Sequence, residues 1–163
     1  MPAVSSTTLV GDPIIDGLMS GSKWTSPALS FSFPTLASQY PAGIAETSTF
    51  QPVSTQMKLA TYKVLANYSA VSGLTFTEDT ATPGSATIRI GVSEKAAPTA
   101  YGYYPSNDAQ GLGGDIWYAR TQAAIPNIYD TPAKGNYAFL TALHEMGHAL
   151  GLKHAHEVGG SFP

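Results

Sequence analysis

His144-Glu145-Met146-Gly147-His148-Ala149-Leu150-Gly151-Leu152-Lys153-His154 is the stretch that decides how this chain is read. Just upstream, Asn136 is a good N-cap, and Tyr137-Ala138-Phe139-Leu140-Thr141-Ala142-Leu143 leads without a breaker into it. The pattern predicts a helix from near Asn136 that ends at Gly151. On a helix, residues four apart lie about 40° from eclipsed and one turn apart. His144 and His148 therefore project from one face. Glu145 is rotated from His144 by about 100°, so it stands beside that face. Gly151 lacks a Cβ and can take a positive φ, which turns the chain and lets His154 swing back. Three imidazoles converging on one point suit a zinc ion at roughly 2.0–2.1 Å. The carboxylate next to them is placed as general base for a metal-activated water. The expected roles are metal ligation by His144, His148 and His154 and base catalysis by Glu145.

The rest of the chain sets bounds on that site. It has 163 residues, enough for one domain with a sizeable core. The net charge is −3 with no run of lysine or arginine, which argues against nucleic acid as a partner. No apolar stretch approaches the length of about 20 residues needed to span a membrane. The absence of cysteine excludes disulfides and thiolate metal sites. Met1-Pro2-Ala3-Val4-Ser5-Ser6 has neither the basic nor the apolar region of a Sec signal peptide.

Periodicity supplies the remaining elements. Gly11-Asp12-Pro13 and Gly21-Ser22-Lys23 read as turns. Leu29, Phe31 and Phe33 alternate with serines in a strand stopped by Pro34. Residues 34–52, with three prolines, read as a long surface loop. Val53, Met57, Ala60, Val64, Tyr68 and Val71 form one apolar face of a helix over 53–72, with Gly73 at its exit. Leu74–Glu78 and Ile88–Val92 read as strands, Ala100–Tyr104 and Gly114–Tyr118 as weaker ones, and 119–135 as a loop. A helix between strands and another helix late in the chain imply an α+β domain with a mostly antiparallel or mixed sheet.

The motif is that of the metzincin zinc endopeptidases, and the wording HEMGHALGLKH resembles their serralysin branch, the bacterial alkaline proteases. Asp16–Trp24, Leu74–Glu78 and Gly114–Tyr118 are similar to the same family, so the likeness covers most of the chain. It implies a metzincin-like N-terminal catalytic subdomain: a mixed twisted sheet with two main helices, the second carrying the zinc motif. It also implies protein or peptide substrates, a protein inhibitor as a further partner, and secretion from a bacterium. In metzincins an edge strand above the active-site helix pairs with substrate backbone. Gly114, Ile116 and Tyr118 are the expected members of that strand. The family's methionine turn should follow the third histidine, yet no methionine follows Met146 in the residues given. Its calcium repeats would make Ca2+ a ligand of the full-length parent. Gly111-Leu112-Gly113-Gly114-Asp115 reads as a turn instead. Residues 1–163 are thus expected to form a single, incomplete catalytic domain, truncated before that turn.

Plainer roles are expected elsewhere. His156 should be exposed in the tail and Met146 a packing residue. Tyr101, Tyr103, Tyr104, Trp117 and Tyr118 should be strand and core residues. Glu78, Asp79, Asp108 and Asp115 should be ordinary surface acids, with calcium binding the alternative. The competing functional expectation is a catalytically inactive zinc-binding fragment serving as a structural module or as part of a larger assembly.

Overall fold

The computed structural model describes residues 2–122 and 125–157. The chain runs β1 (Val4–Ser6), α1 (Pro13–Asp16), β2 (Ser22–Trp24), β3 (Ala28–Ser32), β4 (Phe50–Gln51), α2 (Thr55–Ser72), β5 (Thr75–Glu78), β6 (Ile88–Ser93), β7 (Ala100–Gly102), β8 (Ile116–Tyr118) and α3 (Tyr137–Leu150). Short 3-10 turns and a two-residue ladder between Thr121–Gln122 and Ile125–Pro126 occupy the connections. The main sheet has the order β5-β3-β6-β8-β7, with β4 paired to the far half of β6. Its first four strands are parallel and β7 is antiparallel. The α+β class, the mixed sheet and the two main helices are those expected from the sequence.

α2 begins one turn after Pro52. Ser54 caps it by accepting from the Met57 N–H at 3.0 Å, and Gly73 leaves it at φ 73°. Met57, Ala60, Val64 and Leu65 form its buried face. Val71 continues the apolar period but is 84 % exposed, because the last turn runs past the core. Leu65, which that period did not include, is buried as well.

β6 is the central strand, and all six of its residues are buried. In the sequence Ile88, Ile90 and Val92 alternate with Arg89 and Gly91, a pattern that would suit a strand with one covered face. Both faces are covered instead, as parallel strands require. On the second face Arg89 is held by Asp115 at 2.7 and 2.9 Å and sits over the Tyr40 ring at 5.4 Å. Gly91 lets Tyr40 and Trp117 approach, since a Cβ there would lie 2.6 Å from the Tyr40 hydroxyl. Tyr40 and Trp117 pack with centroids 4.4 Å apart. The stretch 34–52 is therefore no mere surface loop: Tyr40, Ile44 and Glu46 are buried, and it covers one side of the sheet.

The N-terminal segment also differs from its expected turns. Asp12 caps α1, accepting from the Ile14 N–H at 2.9 Å, with Pro13 at the first helical position. Ser22 and Lys23 lie in β2 and pair with β1. The connection before β2 and the end of β2 itself lie against the end of α3. Trp24 donates its indole N–H to the Ala149 carbonyl at 2.9 Å, and Met19 forms a bridge with Leu152.

Candidate metal centre

α3 carries the first two histidines. Asn136 caps it by accepting from the Phe139 N–H at 3.0 Å, as expected. α2 crosses close to it because residue 147 is glycine: a Cβ there would lie 2.9 Å from the Tyr68 hydroxyl, which donates to the Leu143 carbonyl at 2.9 Å. Gly151 ends the helix at φ 107°, a value that disfavours side chains. A Cβ on it would also meet the Ser22 carbonyl at 2.6 Å. The chain then reverses alongside residues 18–20. Ser20 N–H donates to the Gly151 carbonyl at 2.9 Å, and Lys153 N–H donates to the Leu18 carbonyl at 2.7 Å. This return limb delivers His154.

The Nε2 atoms of the three histidines converge. His144 and His154 are 2.7 Å apart, His144 and His148 3.0 Å, and His148 and His154 3.2 Å. The opposite ring nitrogens explain which protons are present. His148 Nδ1 lies 2.7 Å from the Leu152 carbonyl, and His154 Nδ1 contacts the Glu157 carboxylate. Both partners are acceptors, so each Nδ1 carries the proton and each Nε2 presents a lone pair. Lone pairs at such separation repel unless a cation lies between them. Three nitrogen donors at one point fit a zinc ion, and among the described residues this is the one histidine and acid cluster of that kind. His148 is 7 % exposed, His154 half-buried and His144 exposed at the cleft. Burial lowers the His148 pKa, and burial with the neighbouring His148 and His154 rings lowers that of His144. Both rings are thereby kept neutral near pH 7.

Glu145 is 5 % exposed on the wall of the same cleft, which has a volume of about 520 Å³. Burial pushes its carboxyl up to about 7, against the opposing pull of the Gly102 backbone N–H and of His154. Thr99, Ala100, Tyr101 and Gly102 form the facing wall, and Tyr137, Leu140 and Thr141 extend the floor of the cleft away from the histidines. Gly102 is a site residue the sequence did not single out. A Cβ on it would lie 2.5 Å from the Glu145 carbonyl, so glycine lets β7 press onto α3.

The strand expected to meet substrate lies inside the sheet. Ile116 is 0 % and Tyr118 2 % exposed, and β8 is bonded by β6 on one side and β7 on the other. Gly114 turns at φ 86° against the Thr87 carbonyl, away from the cleft. Gly114, Ile116 and Tyr118 therefore have no free edge to offer. β7 is the terminal strand and lines the cleft. One signal was present in the sequence: Ile116-Trp117-Tyr118 is continuously apolar, as a strand buried on both faces should be, while Gly102 marks a close approach. Trp117 and Tyr118 are core residues as expected. Tyr104 instead faces the cleft beside His148, with centroids 5.4 Å apart.

The isolated acids are committed to protein donors. Asp115, expected at the surface, is 0 % exposed and paired with Arg89. Glu78 accepts from the Tyr62 hydroxyl at 2.7 Å, Asp79 from Thr82 N–H at 2.7 Å, and Asp108 from Gln110 N–H at 2.9 Å. His156 is exposed and stacks beside His154 at 5.2 Å. No helix among the described residues is long and apolar enough to cross a membrane.

Comparison with known proteins agrees with this geometry. The matrixin peptidase family model matches residues 44–160. The metallopeptidase AprA of Pseudomonas marginalis is 33 % identical over 128 residues, covering 77 % of this chain and 26 % of that protein. Serralysin C of Dickeya chrysanthemi is 37 % identical over 138 residues, covering 81 % and 27 %. Human matrix metalloproteinase-15 is 44 % identical over 57 residues, 34 % of this chain and 8 % of that one. The chain spans about a quarter of the length of its bacterial relatives. From the matched residues, the chain belongs to the matrixin peptidase family, as a serralysin-like metzincin catalytic domain.

Proposed function

We propose that the protein carrying this chain is a zinc-dependent endopeptidase. The observation that carries the proposal is the convergence of three histidine Nε2 atoms beside a buried glutamate at one cleft. His144, His148 and His154 hold the ion. When bound, zinc acts as a Lewis acid that lowers the pKa of a water and polarises the scissile carbonyl. Glu145 takes the proton of the attacking water and passes it to the leaving amine. A carboxyl raised to about 7 is suited to exchange protons in both directions near neutral pH. The Gly102 N–H orients that carboxylate from the β7 side.

β7 is the strand we assign to substrate. Its outer edge borders the cleft, so an extended peptide can add to it as a further strand and lie across the histidines. Main-chain pairing of this kind accepts many sequences, which fits broad protein substrates. The floor formed by Tyr137, Leu140 and Thr141 then receives one side chain of the peptide. Action outside the cell, a calcium requirement and a protein inhibitor are further proposals that stand on the serralysin resemblance alone.

The test is hydrolysis of an unstructured protein such as casein by the full-length protein. Activity should vanish with a chelator, return with zinc, and be lost in Glu145→Ala. Chelator-insensitive hydrolysis, or full activity in Glu145→Ala, would falsify the proposal. The same assay on residues 1–163 decides whether this chain works alone or is an inactive zinc-binding piece of a larger assembly.

A further inference from the structure

His144 and His148 are oriented by the helix that bears them, whereas His154 sits on a return limb outside any helix or strand. Something other than regular backbone must set its ring. Its Nδ1 meets the carboxylate of Glu157 through Oε1. The other oxygen of that carboxylate, Oε2, accepts from the Tyr104 hydroxyl at 2.8 Å. The backbone of Glu157 is tied down as well. Its carbonyl accepts from Lys153 Nζ at 2.9 Å, and its N–H donates to the His154 carbonyl at 3.1 Å. Tyr104 reaches this carboxylate from the end of β7 while its ring stands edge-on to His148. A single chain of contacts thus runs from the strand wall through Tyr104 and Glu157 to the third histidine.

We propose that Glu157, locked by Tyr104, is the positioning residue for His154. Accepting the Nδ1 proton fixes the tautomer, so that the Nε2 lone pair faces the other two histidines. The two-point hold on the carboxylate fixes the ring plane. The negative charge also makes the imidazole a stronger donor to a cation. His148 receives the equivalent service from the Leu152 carbonyl. The difference is that a backbone carbonyl comes with the helix exit, whereas Glu157 acts through a side chain that can be replaced singly. The inference rests on the zinc reading of the three histidines.

Zinc affinity of the metal-free full-length protein, measured by competition with a chromophoric chelator, tests it together with the visible spectrum of the cobalt(II) form. Glu157→Ala should weaken zinc binding by roughly 10- to 100-fold and alter the cobalt bands. Glu157→Gln keeps an acceptor for Nδ1–H and should recover much of the loss. Tyr104→Phe should weaken binding by about fivefold, the effect of one hydrogen bond, with no change in ligand number. His154→Ala is the control. If Glu157→Ala does not fold by circular dichroism, Tyr104→Phe still decides the matter. Parental affinity and cobalt spectra in Glu157→Ala and Tyr104→Phe, or in Tyr104→Phe alone where Glu157→Ala does not fold, with affinity lost in His154→Ala, would overturn this proposal and leave the zinc site standing. A parent that takes up no zinc, or a His154→Ala variant that binds as the parent does, would overturn both.

Discussion

The two limbs of the candidate metal centre are built in different ways. The helical limb places His144, Glu145 and His148 by its own period, and any straight α-helix with this sequence would do the same. The return limb places His154 only because Gly151 takes φ 107°, residues 18–20 hold the reversed chain, and Trp24 closes the last turn. One limb is local and the other is an assembly of contacts distant in sequence. A ligand set of this kind gains its geometry from the more fragile half.

The largest expected effect breaks the comparison outright. If the helical pair alone fixed the ion, His154→Ala would bind zinc as His148→Ala does not. We expect both variants to lose more affinity than the roughly 100-fold typical of a supporting group, measured by chelator competition. Next, Glu145→Gln should keep zinc while lowering peptide hydrolysis by roughly 10²- to 10⁴-fold, the usual contribution of a general base. Equal loss of zinc and activity would place Glu145 among the ligands instead.

Gly151→Val tests the return limb without touching a ligand. The positive φ and the Ser22 carbonyl 2.6 Å from a Cβ should cost about 1–3 kcal/mol of folding stability in the metal-free protein, read by denaturant unfolding. Zinc affinity should fall with it, whereas an ordinary helix-end substitution would spare the metal.

The helical limb also predicts a pH effect. Burial raises the Glu145 carboxyl from its ordinary value to about 7 in the metal-free protein. The folded state therefore binds a proton that the unfolded chain has released. Its contribution to stability is present below the unfolded value and is lost as pH rises through about 7. Glu145→Gln lacks this loss, so the midpoint of unfolding of the variant should gain on the parent between pH 5 and pH 8. A constant difference across that range would contradict the raised carboxyl. His144 and His148, lowered by burial, act in the opposite sense and lose stability as pH falls, equally in both proteins. The smallest effect is Trp24→Phe, which removes the indole bond to Ala149 and should cost about 1 kcal/mol.

Legibility followed the same divide. The Asn136 cap and end of α3, the exit of α2 and the αL glycines at 73 and 151 were readable, because caps and periods act within a few residues, whereas α2 starts two residues later than expected, after its Ser54 cap. Val71 misled because periodicity does not say where the core ends. Arg89 and Asp115 misled because a charge is assigned to the surface unless its partner is known, and that partner lies 26 residues away. The strand order misled most. β7 and β8 are both three residues long, and nothing local says that the later strand inserts between β6 and the earlier one. The substrate edge was therefore expected at Gly114, Ile116 and Tyr118, where Ile116 and Tyr118 lie in a strand that is interior to the sheet.

Residue type and spacing by themselves determined the candidate donor set, the proposed base and the helix that presents them, since imidazole chemistry and a 3.6-residue turn are properties of short segments. Tertiary structure alone decided which strand forms the cleft wall and what holds His154 in place. The contacts responsible join Ser20 to Gly151, Gly102 to Glu145 and Tyr104 to Glu157, pairs separated by long stretches of chain that only the packed fold brings together.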